Sequence, residues 1–394
     1  MARDLRLLLL GAAHSLNHSL FAITPPLLTV IMADLGVSKH VIGTVSMAAS
    51  FIYGFGALIG GPLGDKIGEA KTVILFLFSS GFSTFVMFAA GATGSIYFFA
   101  LALILMAVGA SFYHPTANSL ISKAFTGRVS EAMGIHGVGG TLGVVLTPTI
   151  AWFIGSVFGW PVAFATFGLL CVIFAFLFIE NFGFRDAENK SRAAGSIIEA
   201  FRIRELWLLL VFNITIGLFM KGVELFFPTY LQENRGINPM WASVAYTLVL
   251  AFGVPGQWIG GKTADKYGSK RVLIAASAFI CLSLFSLLLV PVYFLGIAAF
   301  IVLYGLFFYA HQPALNALTG FLSPESQRGA VYGIFFFTSF GIGSISQFIS
   351  GYLADIYGLD IAFYMLTAFA IIALLLSFKL PERREPKQPP QTLL

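Results

Sequence analysis

The chain is divided into about twelve apolar runs of 18 or more residues, separated by short polar turns, and this pattern restricts its folding more than any other feature. About 20 apolar residues in helical form cross the hydrocarbon layer of a bilayer. Inside lipid every backbone N–H and C=O has to be paired within the protein, so runs of this length fold as helices. The expected class is an all-α integral membrane protein with twelve transmembrane helices. With 58% apolar and 10% charged side chains, the chain has too little charge to coat a water-soluble domain. The N-terminal MARDLRLLLLGAA has the charged start and apolar stretch of a signal peptide, but the run continues past residue 28 and carries His and Asn. An uncleaved first helix is therefore expected. Cys171 and Cys281 fall in the middle of apolar runs, where cysteine packs as a small hydrophobe. No disulfide, metal site or cofactor is expected.

A net charge of +5 raises the question of nucleic acid, but the basic residues form no single patch. They read instead as membrane topology. With an even number of spans and a cytoplasmic N-terminus, 20 of the 23 Lys and Arg residues fall in inward segments. Lys39 and Arg235 face outward, and Lys221 lies within a span. The expectation is a multi-pass protein of the cell (plasma) membrane with both termini cytoplasmic, surrounded by lipid, a monomer, and without nucleic acid as a partner.

The chain also repeats itself. The stretch GPLGDKIGEAK at 61–71 returns as GKTADKYGSKR at 261–271, so that Asp65, Lys66 and Gly68 match Asp265, Lys266 and Gly268 at an offset of 200. Pro115 and Asn118 match Pro313 and Asn316, and Arg128 matches Arg328. An even number of spans per half makes this a parallel repeat, two six-helix bundles related by a pseudo-two-fold axis along the membrane normal. The expected domains are an N-terminal bundle at 1–180, a polar cytoplasmic linker at 181–205, a C-terminal bundle at 206–380 and a disordered tail at 381–394.

Polar residues inside the spans are the candidates for function, since each is costly in lipid. In span 1 (5–32), broken by Pro25 and Pro26, helical geometry puts His14, Asn17 and His18 on one face. Ser111, His114 and Asn118 share a face of span 4 (96–121). Span 5 (132–154) holds His136 and the glycines 137, 139, 140 and 143, whose helical cost has to be offset by tight packing or bending. In span 7 (206–231), Asn213, Gly217, Lys221 and Glu224 lie within about 80° of arc. Glu224 is the acid well inside a span, and Lys221, one turn away, is its expected partner. The pair is either structural or a titrating site that exchanges a proton. The histidines are either packing residues or proton carriers, imidazole being the group that changes charge near neutral pH. His311 and Asn316 in span 10 (296–317) complete the set, with His40 read as an outer-loop residue. Asn118 and Asn316 either line a pathway or satisfy carbonyls freed by nearby prolines.

Taken together, the paired Asp turns, the inward basic loops and the two-fold repeat resemble the major facilitator superfamily of secondary transporters, over essentially the whole chain. Within it, FYHPTANSLISKAFTGR followed by GIHGVGGTLG and Pro148 resembles the fosmidomycin-resistance branch of efflux proteins. The resemblance implies two bundles rocking about a central site, alternating access, and a cytoplasmic gate formed by Asp65, Lys66, Arg128, Asp265, Lys266 and Arg328. It also implies that spans 1 and 4 line the cavity. The chain departs from the drug antiporters at two points: Leu105 stands where they often carry an Arg, and Gly143 and Pro148 are not adjacent. The leading functional expectation is proton-coupled export, by antiport, of a small amphiphilic or anionic compound, a drug-resistance type of efflux. Uptake of an organic anion by symport and a non-transporting sensor with the same fold are the rivals. An enzyme is not expected, because nucleophile-elbow, phosphate-loop and His-Glu-x-x-His motifs are missing.

Overall fold

The computed structural model describes residues 2–183, 202–324 and 327–382. Most of the expected linker and of the expected tail lie outside them. Twelve helical segments among the described residues are long and apolar enough to cross a membrane, and no strand occurs there. Spans 1 to 6 run as Leu5–Leu35, Lys39–Gly60, Glu69–Thr93, Ile96–Ala124, Glu131–Phe158 and Trp160–Phe182. Spans 7 to 12 run as Arg204–Arg235, Pro239–Tyr267, Ser269–Leu289, Tyr293–Leu322, Arg328–Tyr357 and Leu359–Ser377. Large side chains such as Phe82, Phe153, Phe176, Trp258 and Leu375 are exposed on the outside, as a lipid-facing surface requires.

The repeated Asp turns differ in detail from the sequence expectation. Most of GPLGDKI is still helix, because the segment Lys39–Ile67 runs through Pro62, and the turn is reduced to Gly68. Gly68 has φ 102° and ψ 140°, and Gly268 has φ 91° and ψ 143°, conformations that a side chain disfavours. Glycine at these two positions is what allows one helix to reverse into the next across a single residue.

Proline and glycine also account for the irregular spans. Span 1 is divided into Ala2–Ala22 and Thr24–Leu35, just ahead of Pro25 and Pro26, and span 4 breaks at Phe112, ahead of Pro115. Span 5 is held by close packing. A side chain at Gly139 would run into the backbone of Gly11, and one at Gly143 into that of Ser15. Span 11 changes from α-helix to a π-turn at Phe337–Gly341 and a 3-10 turn at Ile342–Ser344, which no proline in its sequence announces.

The two halves meet along seams between spans 2 and 11, spans 5 and 8, and spans 1 and 7. On the side away from the termini the seams are bridged. Thr29 donates to Gln232 at 2.7 Å, Lys39 pairs with Glu233 at 2.9 Å, and the Thr149 and Thr247 hydroxyls meet at 2.8 Å. Asp355, at the end of span 11, accepts the backbone N–H groups of Lys39 (3.1 Å) and His40 (2.8 Å) and so caps span 2 of the other half.

Candidate functional site

Between the halves lies a cavity of about 950 Å³. His14, His18, His114 and Asn118 line it from the N-terminal half. Glu224, Tyr246, Tyr304, Tyr309, His311 and Asn316 line it from the C-terminal half. Asn118 and Asn316 are exposed, near the ends of spans 4 and 10 on the side of the termini. The cavity therefore opens toward the termini and the basic turns, and the bridges on the far side close its other end.

Hydrogen-bond geometry fixes the tautomers of His136, His14 and His18, because the chain of donors ends on two backbone carbonyls, which only accept. The Tyr113 hydroxyl donates to the Leu10 carbonyl at 2.9 Å. Its one proton is thereby used, so His136 Nε2, 2.9 Å away, carries a hydrogen and donates to the Tyr113 oxygen. His14 Nδ1 lies 2.7 Å from the His136 carbonyl and must donate to it. Neutral His14 then has its lone pair on Nε2, which accepts from His18 Nε2 at 3.1 Å. The rings of His14 and His136 stack with centroids 4.0 Å apart, and His114 stands edge-on to His14 at 5.1 Å. His114 Nε2 is buried without a hydrogen-bond partner.

His136 and Asn17 do not line the cavity. His136 is buried behind His14. Asn17 is also buried; it donates to the Ala110 carbonyl at 3.0 Å and accepts from the Tyr53 hydroxyl at 2.9 Å, so that it ties spans 1, 2 and 4 together. His311 is buried in the opposite wall, its Nδ1 against the Phe308 carbonyl of its own helix. His40 sits at the far side, its ring against Phe348.

On span 7, Lys221 Nζ lies 2.6 Å from Glu224 Oε2. The two ends of this pair are unequal: the Lys221 side chain is 6% exposed, while that of Glu224 is 34% exposed and borders the cavity. Lys221 also sits 4.5 Å above the ring centroid of Phe340 in span 11, a cation–π contact between two neighbouring spans. Asn213, one face with this pair, donates to the Phe335 carbonyl at 2.7 Å and to the Thr338 hydroxyl at 2.8 Å. Its amide thus serves a span 11 carbonyl next to the π-turn.

Asp65, Lys66, Asp265, Lys266 and Arg328 are exposed around the open mouth of the cavity. Lys266 stands 4.9 Å from the Tyr267 ring, and Arg128 contacts Glu131 at 3.8 Å. The bridges between the halves lie at the opposite end, where Lys39, Glu233 and Asp355 were not foreseen. For Asp355 a signal existed: Gly351, Asp355 and Gly358 repeat the Gly-x-x-x-Asp-x-x-Gly spacing of the two matched turns. Glu69 was also missed; it accepts from Ser119 at 2.9 Å and pairs with Lys123, which joins the start of span 3 to the end of span 4.

Two six-helix halves enclosing one cavity, open at one end and bridged at the other, define a multi-pass membrane transporter rather than an enzyme. The family model of the Major Facilitator Superfamily matches residues 8–347, and the chain belongs to that superfamily. Among similar proteins, it is 24% identical over 356 residues to a probable sulfoacetate transporter of Cupriavidus necator, covering 83% of this chain and 81% of that one. It is 25% identical over 306 residues to the fosmidomycin resistance protein of Escherichia coli, covering 75% and 72%. The structure of the nucleoside transporter NupG superposes with a TM-score of 0.81 at 14% identity, covering 95% of this chain and 99% of that one.

Proposed function

We propose that the protein is a proton-coupled secondary transporter of a small organic anion, working by alternating access as a monomer in the cell membrane with both termini cytoplasmic. One observation carries this reading: a buried ammonium, Lys221, held by a carboxylate, Glu224, that itself faces the cavity. An isolated charge in this setting is costly, so the pair stays neutral as a unit. An anion can take over Lys221 only when the Glu224 charge is removed, and a proton from the cavity removes it. Protonated Glu224, bound anion and Lys221 then restore the balance. Proton and anion bind together in this scheme, which favours co-transport over exchange, and the similarity to a sulfoacetate transporter supports an anionic cargo.

Export by exchange, the reading suggested by the similarity to the fosmidomycin resistance protein, makes the opposite prediction for the proton. Purified protein in liposomes with an internal pH dye separates them. Sulfoacetate or another small organic anion added outside should acidify the interior under co-transport and make it more alkaline under exchange. Glu224→Gln should abolish the pH change while leaving the protein folded. A normal pH response in Glu224→Gln would overturn the role of the pair. The gating roles of Asp65, Lys66, Arg128, Asp265, Lys266 and Arg328 belong to the same proposal, as contacts of the state in which the terminal side closes.

A further inference from the structure

We propose that His14, His18 and His114 form a binding site for a single divalent transition-metal cation of the class that prefers imidazole, such as Zn2+, Ni2+ or Cu2+. One imidazole nitrogen from each residue lies within 4.8 Å of the other two. The site is separate from the ion pair on span 7 and holds whatever the transported substrate or its direction.

Four features of the chain suit a metal. His14 and His18 are four residues apart on one helix, the spacing that places two imidazoles on one face for a shared ion. Their Nε2 atoms are 3.1 Å apart. Two nitrogens bound at about 2.0–2.1 Å in tetrahedral geometry stand about 3.3 Å apart, so this pair is already near ligand spacing. His14 donates its Nδ1 hydrogen to the His136 carbonyl, which fixes the tautomer with the lone pair on Nε2, as the second partner of a metal-bound histidine does. The third ligand comes from span 4: His114 brings one ring nitrogen within 4.8 Å of the other two, and its Nε2 is buried and unpartnered. Closing the remaining gap requires ring rotation of roughly 1.5 Å, the difference between the observed limit and tetrahedral spacing.

In the metal-bound form His18 turns Nε2 toward the ion as a lone pair, its proton moving to Nδ1, so the ring remains neutral. Three imidazoles leave one position of a tetrahedral ion open. Since His14, His18 and His114 all line the cavity, that position faces the space through which substrate passes. Lys221 is paired with Glu224 at 2.6 Å, and it is the Glu224 carboxylate that borders the cavity, so the opposite wall does not present an unpaired ammonium to a dication.

The test uses full-length protein purified without a polyhistidine tag and stripped with a chelator. Co2+ and Zn2+ are the probes, Co2+ read by its visible absorption and Zn2+ by competition against it. Wild type should take one equivalent with the spectrum of a four-coordinate ion, and Zn2+ should raise its melting temperature. His18→Asn and His114→Asn should each bind at least tenfold more weakly, while His311→Asn, on the opposite wall, should bind as wild type does. If a variant fails to fold, the other variant and the Zn2+ effect on wild-type melting still decide. Less than stoichiometric binding by wild type would overturn the proposal. So would unchanged affinity in both His18→Asn and His114→Asn, which would mean an adventitious surface site.

Discussion

Asp355 is predicted to hold the far end of the cavity closed. Its carboxylate accepts two backbone N–H groups at the start of span 2, Lys39 at 3.1 Å and His40 at 2.8 Å. These are among the amides that a helix start leaves without partners. Removing a capping side chain costs about 1 kcal/mol, and the helix dipole adds a few tenths at an exposed site. The neighbouring Lys39–Glu233 pair is at the rim and adds less than about 1 kcal/mol. Asp355→Ala should therefore shift the balance between closed and open far ends by about 1 kcal/mol, roughly fivefold. Ser46 offers a reporter: it is 7% exposed, lies in span 2 toward the far end, and its hydroxyl has no hydrogen-bond partner, so Cys replaces it at little cost. The native thiols, Cys171 and Cys281, are buried and can be changed to Ala for a clean background. Maleimide labelling of Ser46→Cys in detergent should speed up about fivefold when Asp355→Ala is added, because the rate follows the open population. A rate within twofold of the parent would refute the argument that this cap is a closing contact.

Two further substitutions test the packing that holds the site. Asn213→Ala should cost about 0.5–1.5 kcal/mol, since two side-chain hydrogen bonds to the π-turn region of span 11 are lost while the Phe335 carbonyl keeps the Thr338 hydroxyl as a donor at 3.0 Å; thermal melting in detergent measures it, and no change would refute a role for the amide in holding span 11. In span 5, Gly143→Ala should lower stability by about 1–3 kcal/mol because its methyl meets the Ser15 backbone. Gly134→Ala, with open space around it, should gain about 0.8–1.0 kcal/mol from helix propensity, and the same melting assay should show the two variants moving in opposite directions.

Much of the fold was legible because lipid leaves few choices. Long apolar runs must be helices, and the repeat at an offset of 200 gives two like halves. The Lys221–Glu224 contact was also legible, since i,i+3 neighbours on a helix meet whatever surrounds them. The union of His14 and His18 with His114 was not, because the separation of spans 1 and 4 depends on packing between helices. Local periodicity placed His136 and Asn17 as candidates without showing that one is stacked behind His14 and the other is consumed in structural hydrogen bonds. The π-turn of span 11 left no proline or charge to mark it. The far-side contacts escaped because they join residues more than 90 positions apart, such as Thr149 with Thr247 and Lys39 with Glu233.

Span 11 connects these parts physically. Its Phe340 lies under the Lys221 ammonium, and its Phe336 packs 5.7 Å from His114 and 5.5 Å from Tyr53. Asn213 and a close approach at Gly217 hold its irregular middle, and its last turn carries Asp355. A π-turn departs from the regular α-helical hydrogen bonding and is frequently found at functional sites, so span 11 has a defined place at which to bend between these contacts. Phe340 is in direct contact with the Lys221 ammonium, and the same helix ends in the cap on the far side. Under the proposed mechanism, coupling between a charge change in the cavity and the opening of its far end needs only one helix with two arrangements, and the π-turn of that helix includes the Phe340 contact itself.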